Sequence, residues 1–422
     1  MKIVIQSINF YPELTGIGKY TGEMASWLTS KGHLVRVITT PPYYPKWKIS
    51  LGYTKYFWSK EIWSGVKVWR CPIWVPIKPN GITRLLHLAS FALSSFPIML
   101  WHIFWRPNII LTIEPPLFTA PVALVAAHIS GAKAILHIQD FEVDAAFDLG
   151  LLKGVRIKKI ILGIEKFLLR RFDLVCTISG RMVDRAFSKG LIAESIFLFP
   201  NWADSQLEFK SSAQHDISEP EPEFSYREYL QLPPDGVIAL YSGNMGAKQG
   251  LEILGQVARK FKGADESLPL VHFVFCGDGI GREKLIEQCK GLNFVHFLNL
   301  QPAENLARFL AMADIHLLPQ RADAADLVMP SKLTGMMASG RPVLVGAHSG
   351  TELSNVVQSC GMVVPPEDAQ SFFESLIVLA SDSGLRQRLG LAGFKYAINN
   401  LDRDRILSNF ESKLKSLINN TN

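Results

Sequence analysis

Cysteine is scarce. The 422 residues hold five, Cys71, Cys176, Cys276, Cys289 and Cys360, with no CxxC pair and no Cys/His cluster at zinc spacing. Neither a disulfide framework nor a structural zinc is expected, and a reducing compartment fits. Charge is sparse too: 19% of residues are charged against 48% hydrophobic, which excludes a mainly disordered chain. No charged n-region, apolar h-region and cleavage site precede the opening MKIVIQSI, which reads as a strand, so export is not expected. The first βα turn lacks the GxGxxG fingerprint, since Tyr20 and Thr21 stand where glycine is expected; a nicotinamide or flavin cofactor is poorly supported. No DxD follows a strand. Asp402-Arg403-Asp404 has the letters but reads as a helix start, so no metal is expected.

What charge there is falls unevenly. Residues 1–172 carry 21 Lys and Arg against nine Asp and Glu, while the remaining 250 carry 23 against 29. A basic half beside an acidic one implies that the first faces something anionic, nucleic acid or an anionic lipid surface. No recognised nucleic-acid module is present and the basic residues sit beside lipid-like apolar runs, so the lipid surface is preferred.

At this length two domains are expected. Short β-branched runs alternate with helix-like stretches. In the first half strands are expected at Lys2–Ser7, Leu34–Thr40, Val66–Cys71, Asn108–Ile113, Lys133–Gln139, Leu174–Ser179 and Ile196–Phe199. After the polar, Pro/Glu-rich 211–236 the alternation restarts at Val237–Ser242, Leu270–Cys276, Phe294–Asn299, Ile315–Pro319, Val343–Gly346 and Met362–Val364. The fold class is α/β, with two Rossmann-like domains, 1–202 and 237–400, joined by a linker at 203–236 and followed by a final helical segment at 401–422.

Between Arg84 and Arg106 lie 21 residues without Lys, Arg, Asp or Glu, LLHLASFALSSFPIMLWHIFW. The length could span a bilayer, but Pro97, His87, His102 and three serines weaken that reading. A buried helix pair is a second reading; a helical hairpin dipping into the membrane interface is the preferred one, given Trp101, Trp105, Phe104 and the earlier Trp47, Phe57, Trp58 and Trp63. Further on, Leu151–Phe172 holds seven basic residues and one acid, with Arg156, Lys159, Lys166 and Arg170 along one helical stripe and Ile157, Ile160, Ile164 and Leu168 along another. The alternative is an ordinary solvated face.

Chemistry concentrates where strands give way to helices. Gly16 and Gly18 in FYPELTGIGKY allow close backbone approach before a helix N-terminus, although a plain tight turn explains them nearly as well. In LYSGNMGAKQGLEIL, Gly243, Gly246 and Gly250 sit between strand and helix, with Asn244, Lys248 and Gln249 placed to meet a phosphate. VFCGDGIGREKL adds Gly277, Asp278, Gly279 and Gly281; two such turns on adjacent strand ends suit a phosphorylated ligand. LLPQRADAADLVMPSKLTGMMASGRPVLVG follows, where Arg321, Met329, Pro330, Ser331, Lys332 and Leu333 bring an ammonium and a helix start to one anion.

These stretches, with LHIQDFEVDAAFDLGLL and FPNWAD, resemble the family 4 glycosyltransferases of GT-B fold over essentially all 422 positions, above all the branch acting in colanic-acid exopolysaccharide assembly. The resemblance implies a retaining, metal-independent transferase whose second domain binds a nucleotide sugar, with GDP-fucose as the donor suggested by that branch. It implies that the first domain holds the acceptor, a polyprenyl-diphosphate-linked saccharide, with the enzyme cytoplasmic and peripherally attached to the inner face of the membrane. In the family an Arg and a Lys five apart meet the diphosphate, and here Asn244 and Gln249 stand there with Lys248 adjacent. Its pair of Glu is replaced by Leu327 and Gly335, leaving Asp326 as a substitute carboxylate. Lys332, Lys248 and Arg321 then carry the diphosphate charge, and Asp140 resembles the family's acid at the cleft; His137, three residues earlier, reads as an acceptor-side or structural histidine. The remaining readings are a UDP-aminosugar transferase, a nucleotide-sugar epimerase and a non-catalytic membrane-docked assembly subunit.

Overall fold

The computed structural model describes residues 1–13, 16–77, 80–148, 155–203, 225–246, 249–263, 268–322 and 331–419. The chain divides into two units, Met1–Asn201 with Asp404–Asn422, and Trp202–Arg403.

In the first unit β1 (Lys2–Gln6), α1 (Gly16–Ser30) and β2 (Leu34–Thr39) precede an edge hairpin of β3 (Ser59–Trp63) and β4 (Val66–Arg70). Then come α2 (Gly81–Ile103), β5 (Ile109–Glu114), α3 (Ala120–Ser130), β6 (Lys133–Ile138), α4 (Glu142–Asp148), α5 (Val155–Leu169), β7 (Leu174–Thr177), α6 (Gly180–Ser188) and β8 (Ile196–Leu198). The sheet runs β3-β4-β2-β1-β5-β6-β7-β8, parallel except for the β3–β4 pair. Its central strands are mostly buried, β5 as six consecutive buried residues, so these β-branched runs are covered on both faces. Strand β3, patterned SKEIW and largely exposed, was not expected from the sequence.

The uncharged 85–105 stretch is not a hairpin or a helix pair. Residues 85–103 of it lie in the single helix α2, opened by a capping box between Asn80 and Thr83 and carrying Pro97 inside it, with Phe104 and Trp105 in the turn that follows. His87, Phe91, Ser95, Met99 and His102, at spacings of four and three, form its buried stripe. The polar members of that stripe are partnered: Gln6 Nε2 donates to Ser95 Oγ at 2.9 Å, and His87 Nδ1 and His102 Nδ1 pair with the carbonyls of Trp74 and Ile98. By length and composition α2 is long and apolar enough to cross a membrane, and this one stripe of it packs within the unit.

The second unit begins with α7 (Tyr226–Tyr229), β9 (Val237–Ser242), α8 (Glu252–Lys262), β10 (Val271–Cys276), α9 (Arg282–Gln288), β11 (Val295–Leu298) and α10 (Leu306–Ala311). It continues through β12 (Ile315–Leu318), α11 (Ser331–Ala338), β13 (Val343–Gly346), α12 (Glu352–Val357), β14 (Gly361–Val364), α13 (Ala369–Ser381) and α14 (Ser383–Leu401). The last helix, α15 (Arg403–Asn419), belongs to the first unit, where Trp27 Nε1 donates to Asp404 and Phe410 stacks on Phe199 at 4.1 Å. All six strands of the second unit are parallel, in the order β11-β10-β9-β12-β13-β14. That order reverses between β9 and β12, and open α/β sheets bind ligands outside the carboxyl ends of such a pair. In the first unit the reversal falls between β1 and β5.

Candidate functional site

At the β9/β12 reversal the loops after β9, β10 and β12 meet. Gly243 N donates to Cys276 O at 2.9 Å, Met245 N to Asp278 O at 2.9 Å, and Gly281 N to Met245 O at 2.8 Å. These bonds zip the two glycine-rich turns together. A Cβ on Gly277 would stand 2.0 Å from Gly243 O, and one on Gly279 would stand 2.7 Å from Met245 O. Both glycines also have φ near +150°. Turn-on-turn packing therefore requires glycine at both positions. Gly250 does the same for the third loop, its Cβ position 3.1–3.2 Å from Gln320 and Arg321 backbone.

Lys332, on the first turn of α11, reaches into this junction. Its Nζ donates to Gln249 Oε1 at 2.8 Å and to the Tyr241 hydroxyl at 3.0 Å, and lies 4.4 Å from the Tyr241 ring centre. Nζ also stands 3.6 Å from where a Gly243 side chain would begin. The Tyr241 hydroxyl in turn donates to Asn244 O at 2.6 Å, which fixes the acceptor lone pair that meets the ammonium. Among the described residues no carboxylate pairs with Lys332. Burial without a countercharge pushes its pKa down to about 7. A cation held by neutral oxygens at strand ends, beside a helix start, has the chemistry to meet an anion.

The other expected donor residues divide. Gln249 and Gly243 touch Lys332, and Asn244 and Asp278 are exposed at the rim, Asp278 Oδ1 accepting from Gly279 N. Arg321 is partly buried and contributes to holding Glu252 below the usual carboxylate range, after the Glu252 backbone N–H and Lys284. Leu333 is fully buried in the core with Met336, so it is a packing residue and not part of the ligand surface. Lys248, Met329, Pro330, Leu327 and Asp326 lie outside the described residues, as does the Ser331 side chain.

In the first unit, Gly18 is buried against the preceding loop, where a Cβ would meet Glu13 Cβ at 2.8 Å. Gly16 is exposed, with φ +57°, at the start of α1. His137 is buried on β6 against Phe199, its pKa driven down to about 3 by burial, which makes it a neutral structural residue. Asp140 is exposed just past β6.

The acids that cluster at this end were missed from the sequence. Glu13, after β1, is buried and accepts from Tyr43 N, Tyr44 N and Asn9 Nδ2, each at 2.8 Å. Glu114 ends β5 fully buried, its pKa raised well above normal by burial, with the Glu142 and Glu165 charges adding. Burial likewise lifts Glu142 to about 7, Asp140 adding to the rise and the Leu117 N–H opposing it. Two carboxyl groups whose ionisation is disfavoured by burial therefore sit at the end of β5 and the start of α4, beside the β1/β5 reversal. Among the described residues no three His, Cys, Asp or Glu side chains are grouped so as to hold a metal ion.

Residues 15–202 match the family model of the glycosyl transferase 4-like domain, and residues 223–396 match that of the glycosyl transferases group 1. A glycosyl transferase named for colanic acid biosynthesis, WcaI of Escherichia coli (strain K12), is 40% identical over 98% of this chain and 100% of its own. The chain belongs to the family 4 glycosyltransferases. The solved sucrose-phosphate synthase of Thermosynechococcus elongatus is similar to this glycosyltransferase at TM-score 0.74 and 17% identity, over 99% of this chain and 98% of that one. Anabaena HepE in complex with UDP-glucose is similar at TM-score 0.67 and 16% identity, over 99% and 100%. These likenesses give the transferase its GT-B fold of two Rossmann-like domains.

Proposed function

We propose that this glycosyltransferase moves a sugar, with retention of anomeric configuration, from a nucleoside-diphosphate donor to a polyprenyl-diphosphate-linked saccharide. The pathway is assembly of an exopolysaccharide of the colanic-acid kind, on the cytoplasmic face of an anionic membrane. The observation that carries the reading is the Lys332 ammonium, partly buried, held by Tyr241 and Gln249 and facing no described carboxylate. As the sugar–phosphate bond breaks, charge grows on the departing diphosphate. A pre-placed cation of low hydration stabilises that charge more than it stabilises the ground state.

Lys332 has the central catalytic role, with Gln249, Asn244 and Arg321 as donor-binding neighbours and Lys248 completing the set. The leaving phosphate accepts the acceptor hydroxyl's proton, so the chain supplies no strong base. Asp140 and Glu142 orient the acceptor. Diphosphate charge is met by Lys332 in place of a divalent cation, so chelators are expected to leave transfer intact.

GDP-fucose is the first donor to test, by the name of the WcaI relative, and UDP-linked aminosugars the second. The test is a melting-temperature screen of GDP, UDP and their sugars, followed by product mass with a lipid-linked acceptor extract. A matching nucleotide should raise Tm in the wild type and not in Lys332→Ala. No shift with any nucleoside diphosphate would favour a non-catalytic assembly subunit, and a mass change of the free sugar nucleotide alone would favour an epimerase.

A further inference from the structure

We infer that the face of the first unit built by α2, α3 and α5 is the surface on which this transferase lies against an anionic phospholipid bilayer. This deepens the membrane reading above by naming the surface and its orientation. The connections β4 to β5, β5 to β6 and β6 to β7 all step the same way along the sheet. Right-handed crossovers then place α2, α3 and α5 on one side of it, and α2 packs directly on α3.

Many exposed positions of this layer are apolar. On α2 they include Leu86, Leu93 (77% exposed) and Phe96; on α3, Val125 and Ile129. On α5 they are Ile160 (62% exposed), Ile164 and Phe167. Three neighbouring helices with such faces exceed the scattered apolar exposure of an ordinary surface. Their charge has one sign. The three helices hold a single acid, Glu165, which is buried and paired with Lys189. Their basic residues Arg84, Arg156, Lys158, Lys159 and Lys166 are all exposed.

Two grooves follow α2. One, of about 710 Å³, is lined by Lys55, Trp58, Trp74, Leu93 and Pro97, and suits part of an acyl chain. One turn on, a second of about 410 Å³ sets Arg36, Lys60 and Lys67 beside Trp69 and Trp101. Arg36 lies 3.9 Å over the Trp105 ring and Lys60 lies 5.2 Å from both Trp69 and Trp101, which is the amphipathic pairing of a headgroup layer. Charge decides the occupant. A second copy docked by the same face would set these cations against their own equivalents, whereas an anionic bilayer supplies both chains and phosphates.

The orientation has a consequence. His87, in the first half of α2, packs on Tyr43 and Trp47 in the loop after β2, so that end of the helix lies beside the carboxyl ends of the strands. With α2 lying along the interface, the Glu13–Glu142 end of the sheet stays near the plane from which a lipid-linked saccharide projects.

The full-length protein should be sedimented with vesicles of phosphatidylcholine alone or mixed with phosphatidylglycerol. Wild type should pellet only with phosphatidylglycerol and be released by salt. Each basic residue at an anionic surface adds roughly fivefold to partitioning, so Lys158→Glu/Lys159→Glu should lower it at least tenfold. Leu93→Glu/Phe96→Glu should do the same by removing apolar contact, and Ile398→Glu, exposed on the second unit, should change nothing. The nucleotide-induced Tm shift is measured on every variant. Its retention shows that the fold is intact and keeps a failure here distinct from a failure of the donor-site reading. Wild type that ignores phosphatidylglycerol, or variants of α2 and α5 that pellet like wild type, would overturn the inference. So would a lipid-independent dimer that Leu93→Glu/Phe96→Glu dissociates.

Discussion

Lys332 donates to the hydroxyl of Tyr241 at 3.0 Å while its ammonium also rides 4.4 Å from the centre of that ring. One residue of β9 thus gives the cation both an oxygen and a π face, in a place where water has been largely removed. Tyr241→Phe keeps the face and deletes the oxygen. Hydrogen bonds to charged groups are worth about 1.5–3 kcal/mol, so nucleotide affinity at pH 8 should fall roughly 10- to 100-fold with the fold intact. Titration calorimetry of the variant checks this.

The lowered Lys332 pKa makes donor binding pH-dependent in a definite direction. An incoming diphosphate favours the ammonium, so the bound-state pKa lies above the free value of about 7. The electrostatic contribution is full below pH 7 and is lost as pH rises through the bound-state value. Binding at pH 8 should therefore take up protons, seen as a binding enthalpy that depends on the buffer's ionisation enthalpy. In the unliganded protein the sign reverses: the folded pKa lies below the unfolded one, so this residue's share of stability rises between pH 7 and about 10.4. Both slopes should vanish in Lys332→Met.

Gly277→Ala asks for a Cβ 2.0 Å from Gly243 O at φ +154°. The two turns cannot stay zipped, and the loss should be about 3 kcal/mol or more, at the upper end for single substitutions. Gly16→Ala in the first unit meets no atom of the described residues within 4 Å, leaving the cost of its φ of +57°, about 1–2 kcal/mol. Denaturant titration of both variants should rank them in that order.

Glu142 carries a folded pKa of about 7, above its unfolded value. The protonated form is the one that folding favours, so stability from this group is full below pH 4.5 and falls as pH rises through 7. Glu142→Gln keeps an oxygen for the Leu117 N–H and removes the charge. It should flatten the slope of stability between pH 5 and 8 while changing the acceptor KM, a split that separates positioning from mere stability.

The parallel core was legible because strands such as Ile109–Glu114 are buried on both faces and must be apolar throughout. Strand β3 was not, since SKEIW at an exposed edge has no such demand. The single helix α2 was obscured by Pro97 and by polar residues that read as breaks until their partners, Gln6 and the Trp74 carbonyl, come from distant sequence. At the site, Lys332 stood out through MPSKL, but its supports Tyr241 and Gln249 lie 91 and 83 residues away. The glycines of GDG were visible and their purpose was not, because a clash with Gly243 O exists only once two turns are stacked. Glu13 and Glu142 were not singled out, because burial is what sets them apart.

The most direct measurement is calorimetric titration of GDP and UDP into wild type, Lys332→Ala and Lys332→Arg at pH 7. Wild type should bind one of them measurably, Lys332→Ala should lose about 100-fold or more, and Lys332→Arg should recover part of that loss. Equal affinity in wild type and Lys332→Ala would contradict the central role of Lys332.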